Sequence, residues 1–241
     1  MKTAIISDIH SNIEAFEAVL AQIGKDKVYC LGDIVGYGPN PNECVELVRE
    51  KACVVIAGNH DFGSVGQIDI SGFTKEAQFV CRFTHDRLAL DNFSYLKELF
   101  ETASPQDNVT LVHGSLKSPL FQYILGQKAA RSSFKLLKTP LCFFGHTHLP
   151  IIYKLKGRKL TVEGLVEDEN LFLDKEARYL INPGSIGQPR DGDPRASYLI
   201  FDNKNYSVCL KRVAYNVSKT QKTMLKANLP QPLISRLTVG Q

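Results

Sequence analysis

The first 57 residues constrain the fold more tightly than anything that follows. Lys2 to Ser7, Lys27 to Leu31 and Ala52 to Ala57 are short apolar runs of strand length. Between them, Asn12 to Ile23 and Pro41 to Lys51 have helical character. Ile13, Phe16, Val19, Leu20 and Ile23 recur at helical spacing, and Gly24 ends the run. Pro41 is tolerated in a first turn, where no N–H is needed. The order β-α-β-α-β predicts a parallel sheet, because parallel neighbours require a long crossover.

A more helical stretch, Thr74 to Phe100, follows, with Leu88, Phe93, Leu96, Leu99 and Phe100 as apolar anchors. Asn108 to Val112 and Leu141 to Phe144 are further strands flanking a helix at Gln127 to Lys138. Then the pattern changes. Ile151 to Leu155, Lys159 to Glu163, Tyr179 to Ile181, Ser197 to Phe201 and Ser207 to Val213 are strands with few helices between them, which predicts antiparallel pairing. Asn216 to Ala227 is a terminal helix. No linker rich in Gly, Ser and Pro divides the chain. Residues 1–241 are expected to form one domain of two packed sheets with helices outside.

The charge balance, +4, is too mild to indicate a nucleic-acid partner. No apolar stretch reaches the roughly 18 residues of a membrane span. The N-terminus meets Asp8 too early for a secretory signal, so a cytoplasmic location is expected. The six cysteines are scattered, none as CxxC, and read as buried reduced thiols rather than a thiolate zinc site.

The residues after each strand are polar in a consistent way. The strands run in turn into Asp8-Ile9-His10, Gly32-Asp33, Gly58-Asn59-His60-Asp61, His113-Gly114 and Gly145-His146-Thr147-His148. The carboxyl ends of strands in open β/α sheets line the functional crevice. Five of the six histidines lie at these ends, and only His85 falls inside a helical stretch, where a structural role is expected. One histidine alone is usually a satisfied core or surface residue; five converging with two aspartates point to a metal site. Asp8 with His10, and His146 with His148, are spaced i, i+2, which in extended backbone sends both side chains to one side.

In this order, DxH, GD, GNHD, an isolated HG and GHTH resemble the calcineurin-like metallophosphoesterases. Gly32 to Pro41 and Asn182 to Arg190 further resemble the small bacterial and archaeal YfcE-like phosphodiesterase branch. The resemblance implies a four-layer α/β/β/α sandwich, two mixed β-sheets flanked by helices, around a dinuclear centre. It implies one metal on Asp8, His10, Asp33 and His148, and another on Asp33, Asn59, His113 and His146. Asp33 would bridge. His60 would sit beside the metals as the catalytic residue, steadied by Asp61, with Asn59 and His60 also meeting substrate.

Mixed oxygen and nitrogen ligands suit Mn, Fe, Zn, Co or Ni better than Ca or Mg. Two divalent transition-metal ions carry four positive charges, and the carboxylates of Asp8 and Asp33 cancel only two of them, leaving a site that favours a phosphate anion. Paired metals activate a shared water, so the expected reaction is hydroxide attack on phosphorus with no covalent enzyme intermediate, His60 protonating the leaving oxygen or stabilising its charge. Arg190 or Arg195 could contact substrate phosphate; the plainer reading is a surface turn with Asp–Arg pairs. Tyr37 is either a packed loop aromatic or a stacking surface. The arginine that protein phosphatases and symmetrical diadenosine tetraphosphatases carry shortly after GD is missing here, where the chain reads Ile34 to Gly38. Its loss tilts the expected substrate toward a small-molecule phosphodiester of the cyclic-nucleotide type. The alternatives are a phosphomonoesterase or protein phosphatase of the same fold, or a non-catalytic metal-binding scaffold like the retromer subunit that resembles this family.

Overall fold

Side chains along β1 (Lys2–Ile6) face two different cores. In the computed structural model, which describes residues 2–106 and 108–241, Ala4 and Ile6 turn outward. They meet Phe16, Val19 and Ile23 of α1 (Ile13–Ile23) in a cluster with Cys44, Val45 and Val48 of α2 (Pro41–Lys51). Ile5 turns inward, into a layer shared with Phe143, Ile181, Leu199 and Phe201. The period of two along a strand thus feeds two packing layers, which is why the run is continuously apolar. Asn12 caps α1, accepting from Ala15 N at 3.3 Å.

The first sheet has the order β3-β2-β1-β11-β12-β9. Strands β1, β2 (Lys27–Cys30) and β3 (Val54–Val55) are parallel. β11 (Ala196–Asp202), β12 (Ser207–Val213) and β9 (Asn170–Phe172) extend the sheet antiparallel. The second sheet runs β4-β5-β6-β10-β7-β8. Here β5 (Val109–Val112), β6 (Leu141–Phe144) and β10 (Arg178–Pro183) are parallel. β4 (Thr102–Gln106), β7 (Pro150–Lys156) and β8 (Lys159–Glu163) are antiparallel to their neighbours. Phe134 and Ala130 of α6 (Gly126–Leu136) cover the outer face of this sheet through Cys142, Phe144 and Leu180. The layers are therefore α/β/β/α, with two mixed sheets, as the resemblance implies. Each large side chain withdrawn from water between the sheets contributes roughly 1.5–3 kcal/mol.

Several elements differ from expectation. β3 is only two residues, because Ile56 makes an isolated bridge to Phe100 and Ala57 N donates to Phe100 O. Thr74 to Phe100 contains two helices, α4 (Lys75–His85) and α5 (Leu90–Lys97), and Phe100 is exposed rather than an anchor. The motif Asn59-His60-Asp61 opens a short helix, α3 (Asn59–Ser64). β4 holds Pro105, which a sheet accepts at an edge, and its register shifts between Ala103 and Gln106. All six cysteines are free, but Cys53 is exposed. His85 Nδ1 donates to Ser64 O at 2.9 Å, a structural role.

The C-terminal segment, α7 (Val217–Lys226), α8 (Gln231–Ser235) and a 3₁₀ turn at Arg236–Thr238, packs on α4. Met224, Leu233 and Leu237 meet Val80 and Phe83 there. Among the described residues, no helix is long and apolar enough to cross a membrane.

Candidate metal centre

The parallel strands of both sheets end at one edge, and the loops that leave them are laced together by backbone bonds. Asp8 N donates to Gly32 O at 3.1 Å, and His10 N donates to Asp33 O at 2.9 Å. Gly145 N donates to His113 O at 2.8 Å, and Gly187 N donates to Asp8 O at 2.9 Å. These loops bring together Asp8, His10, Asp33, Asn59, His60, His113, His146 and His148, all buried.

Convergence does not come from strand alternation. β1 ends at Ile6, and Asp8 and His10 both sit in left-handed backbone, at φ 55° and 50°. His146 and His148 do the same at φ 67° and 59°, and Asp33 at 51°. Left-handed backbone is uncommon for residues other than glycine and is concentrated at functional sites. The i, i+2 pairs share a side because tight turns aim them, which corrects the extended-backbone expectation.

Three candidate metal-holding groups are present: Asp8 with His10 and His148, Asp33 with His113 and His146, and His10 with Asp33 and His60. Asp33 Oδ2 lies 3.3 Å from His113 Nε2 and 3.7 Å from His10 Nε2, so one carboxylate faces both halves of the cluster. Its Oδ1 accepts from His60 N at 2.8 Å. Asp8 Oδ1 is 3.2 Å from His148 Nε2.

The imidazoles are held by backbone carbonyls. His10 Nδ1 faces Val35 O at 3.1 Å, His113 Nδ1 faces Leu31 O at 2.8 Å, and His148 Nδ1 faces Gln188 O at 2.6 Å. A carbonyl only accepts, so each Nδ1 carries a proton, and each ring, when neutral, presents an Nε2 lone pair. Yet His10 Nε2 and His148 Nε2 are 3.1 Å apart, and His113 Nε2 is 3.2 Å from the acceptor Asn59 Oδ1. Lone pairs aimed at one another repel unless a proton or a metal cation lies among them. The donor set of imidazole, carboxylate and amide oxygen fits divalent transition metals, and no cysteine joins any of the three groups.

The electrostatics agree. Burial alone would raise the carboxyls, but His148 outweighs it at Asp8, and His113 and His60 outweigh it at Asp33, so both lie below the usual range. Burial drives His60 down to about 4 and His146 to about 3. His113 is the exception: burial opposes its charge, but neighbouring Asp33 prevails and raises it to about 9, so without a cation its Nε2 holds a proton toward Asp33, at the place a metal would take.

His60 adjoins the cluster, its ring centroid 5.1 Å from that of His10 and 4.4 Å from that of Tyr37. Its Nδ1 lies 3.8 Å from Cys81 Sγ, a contact the motifs do not reveal. Asp61 does not hold the His60 ring by a hydrogen bond. Its carboxylate instead accepts from Val35 N at 3.1 Å and Gly58 N at 2.9 Å, tying the Asp33 loop to the start of α3. The carboxyl is raised to about 7 by burial and by Asp33.

A cleft of about 390 Å³ opens onto these residues, lined also by Tyr37, Phe73, Phe121, Tyr123 and Arg190. Tyr123 stacks on His146 with centroids 3.9 Å apart. Arg190 reaches the cleft, whereas Arg195 pairs with Asp193 and Glu167 in a surface turn. Tyr37 is both packed and at the site, 4.6 Å from the His10 ring. The aromatic wall was not foreseeable: Phe73, Phe121 and Tyr123 stand in no pattern in the sequence. A larger hollow of about 770 Å³ over the outer face of β11 and β12 holds none of the clustered residues.

Gly58 is required where the Asp33 loop crosses α3, since a Cβ there would collide with Asp33 Oδ1. Gly58→Ala should cost about 1–3 kcal/mol, the usual cost of overpacking. Urea unfolding measures the stability. Metal retained after desalting should fall as well, because Asp33 must move. A variant with wild-type stability and metal content would show that the contact relaxes freely.

Among solved structures, the chain is similar to a metallophosphoesterase from Sphaerobacter thermophilus, at 41% identity and a TM-score of 0.90, covering 100% of this chain and 99% of that one. A hypothetical protein from Pyrococcus horikoshii OT3 shares the fold at 20% identity and a TM-score of 0.81, over 100% and 98% of the two chains. An uncharacterized protein of Methanocaldococcus jannaschii is 40% identical over 244 residues, 99% of this chain and 98% of that one. The family model of the calcineurin-like phosphoesterase superfamily domain matches residues 1–206, a span that includes every residue of the cluster. Fold, donor set and family match agree: this chain belongs to the calcineurin-like phosphoesterase superfamily, a family of metal-dependent hydrolases, and carries candidate ligand groups for a divalent metal.

Proposed function

We propose that this protein binds two divalent transition-metal ions and hydrolyses a small-molecule phosphodiester of the cyclic-nucleotide type. The observation that carries the reading is the cluster of facing lone pairs, with the Asp33 carboxylate between its two halves. Asp8, His10, Asp33 and His148 would hold one ion; Asp33, Asn59, His113 and His146 would hold the other. Two such ions, when bound, make water acidic enough to attack at neutral pH and offset the charge on the phosphoryl oxygens.

The remaining work falls to the chain. Burial keeps the Cys81 thiol protonated, raised to about 12, so it can donate weakly to His60 Nδ1. Neutral His60 then carries its proton on Nε2 and offers it to the leaving oxygen, where charge develops. Arg190 supplies a fixed cation at the cleft for a phosphoryl oxygen. Phe73, Phe121 and Tyr123 give apolar surface to the organic groups of the ester and exclude water. A single arginine beside an aromatic wall suits a singly charged diester better than a doubly charged monoester.

The test compares bis-p-nitrophenyl phosphate with p-nitrophenyl phosphate in Mn²⁺, with and without chelator. Higher kcat/KM on the diester, lost on chelation, is the expected result. Preference for the monoester would reverse the substrate assignment. Absence of turnover with every transition metal would leave a scaffold. A panel of 2′,3′- and 3′,5′-cyclic nucleotides then narrows the substrate.

A further inference from the structure

We propose that Arg236 is a positioning residue that sets Arg190 against the substrate phosphate through the side-chain amide of Gln188. The inference rests on the phosphoesterase reading, and it brings the chain beyond residue 206, where the family match ends, into substrate binding.

Gln188 is a buried junction, 1% exposed. Its backbone oxygen accepts from His148 Nδ1 at 2.6 Å. Its N–H donates to Ser185 Oγ at 2.9 Å, and Ser185 Oγ donates to Asp8 O at 2.8 Å. The backbone of Gln188 is therefore tied to two metal-ligand candidates. Its side-chain Oε1 accepts from Arg190 Nη2 at 3.0 Å and from Arg236 Nη1 at 3.2 Å.

Two guanidiniums thus converge on one neutral oxygen. Among the described residues, neither has a carboxylate within 4.0 Å. Each has a buried Nε without a hydrogen-bond partner. Burial and the charge of Arg190 also pull Arg236 below the usual guanidinium range, against the weaker opposing influence of Tyr37 and Glu76. Placing like charges together without a directly paired carboxylate is unfavourable, and an arriving anion relieves it. Only Arg190 lines the cleft; Arg236 stands behind it. Next to it, Leu237 is locked among Val80, Phe83, Met224 and Leu233, so the 3₁₀ turn holds its place without the guanidinium. The division of labour follows. Arg236 fixes the amide and repels Arg190 toward the cleft, so Arg190 meets the phosphate already ordered and gives up less freedom on binding.

The test uses the full-length Mn²⁺-loaded protein and four variants: Arg236→Ala, Arg236→Lys, Arg190→Ala and the double alanine variant. Arg236→Ala should raise KM for bis-p-nitrophenyl phosphate roughly 3- to 10-fold, the scale of one side chain's lost pre-ordering, with kcat within about twofold. Calorimetric binding of inorganic phosphate should weaken by the same factor. Arg236→Lys should recover most of the loss, since its ammonium can still donate to Gln188 Oε1. In the Arg190→Ala background, Arg236→Ala should add nothing. An unchanged KM in Arg236→Ala would overturn the proposal, whether or not the urea midpoint falls. So would full multiplicative losses in the double variant, which would mean that Arg236 acts independently of Arg190. If the wild type hydrolyses neither ester but phosphate binding follows this pattern, the hydrolase reading fails and the positioning role stands. If the wild type is active and the two losses multiply, the positioning role alone fails.

Discussion

Alanine at Asp33 is expected to strip the protein of metal and to take hydrolysis to the level of the chelated wild type. Asp33 and Asp8 are the only carboxylates in the three ligand groups, so losing Asp33 removes half of the negative charge that offsets two divalent cations. Because Asp33 Oδ2 faces both His113 and His10, neither half of the cluster is spared. The loss of activity should exceed the roughly 10²–10⁴-fold typical of removing one general acid–base group. Asp33→Asn separates two effects: it keeps an oxygen for His60 N while removing the charge. Metal per chain, measured by plasma mass spectrometry after desalting, decides the matter. Wild-type metal content in Asp33→Ala would contradict the bridging role.

His60→Ala should lower kcat by roughly 10²–10⁴-fold while metal content survives. His60 lies beside Asp33 and His10, but its Nδ1 is turned to Cys81, so it is placed to meet substrate rather than to complete a coordination shell. The loss should depend on the leaving group. p-Nitrophenolate leaves with little help, so the variant should be least impaired on the nitrophenyl ester and most impaired on an alkyl ester. A deficit equal on both would argue against assistance at the leaving oxygen. Loss of metal along with activity would make His60 a ligand.

The clustered residues could be read from sequence because each follows an apolar strand, and a histidine or aspartate is conspicuous at such a place. The strands themselves were legible where both faces are buried, as at β1 and β6. Two of the edge strands were not, although the edge strand β8 was read at its observed bounds. β4 contains a proline and β9 is three residues long, too short for periodicity to show. The left-handed turns at Asp8, His10, Asp33, His146 and His148 were invisible because nothing but the surrounding bonds enforces them. Contacts made across long separations were likewise hidden. Cys81 beneath His60 looks like any buried thiol, and Arg236 lies 48 residues from the Gln188 it bonds. Asp61 was noticed for its motif, but its partners are backbone N–H groups that no pattern of side chains could name.

The pairing of β1 with β11 bears on how the chain matures as it leaves the ribosome. Lys2 to Ile5 hydrogen-bond to Leu199 to Asp202, so β1 waits for a strand synthesised long after it. Until then, one flank of the nascent β1–β2 hydrogen-bonding ladder stays open and apolar, the kind of edge that recruits other chains. Fragments ending before residue 196 should therefore aggregate, even though they hold every proposed metal ligand.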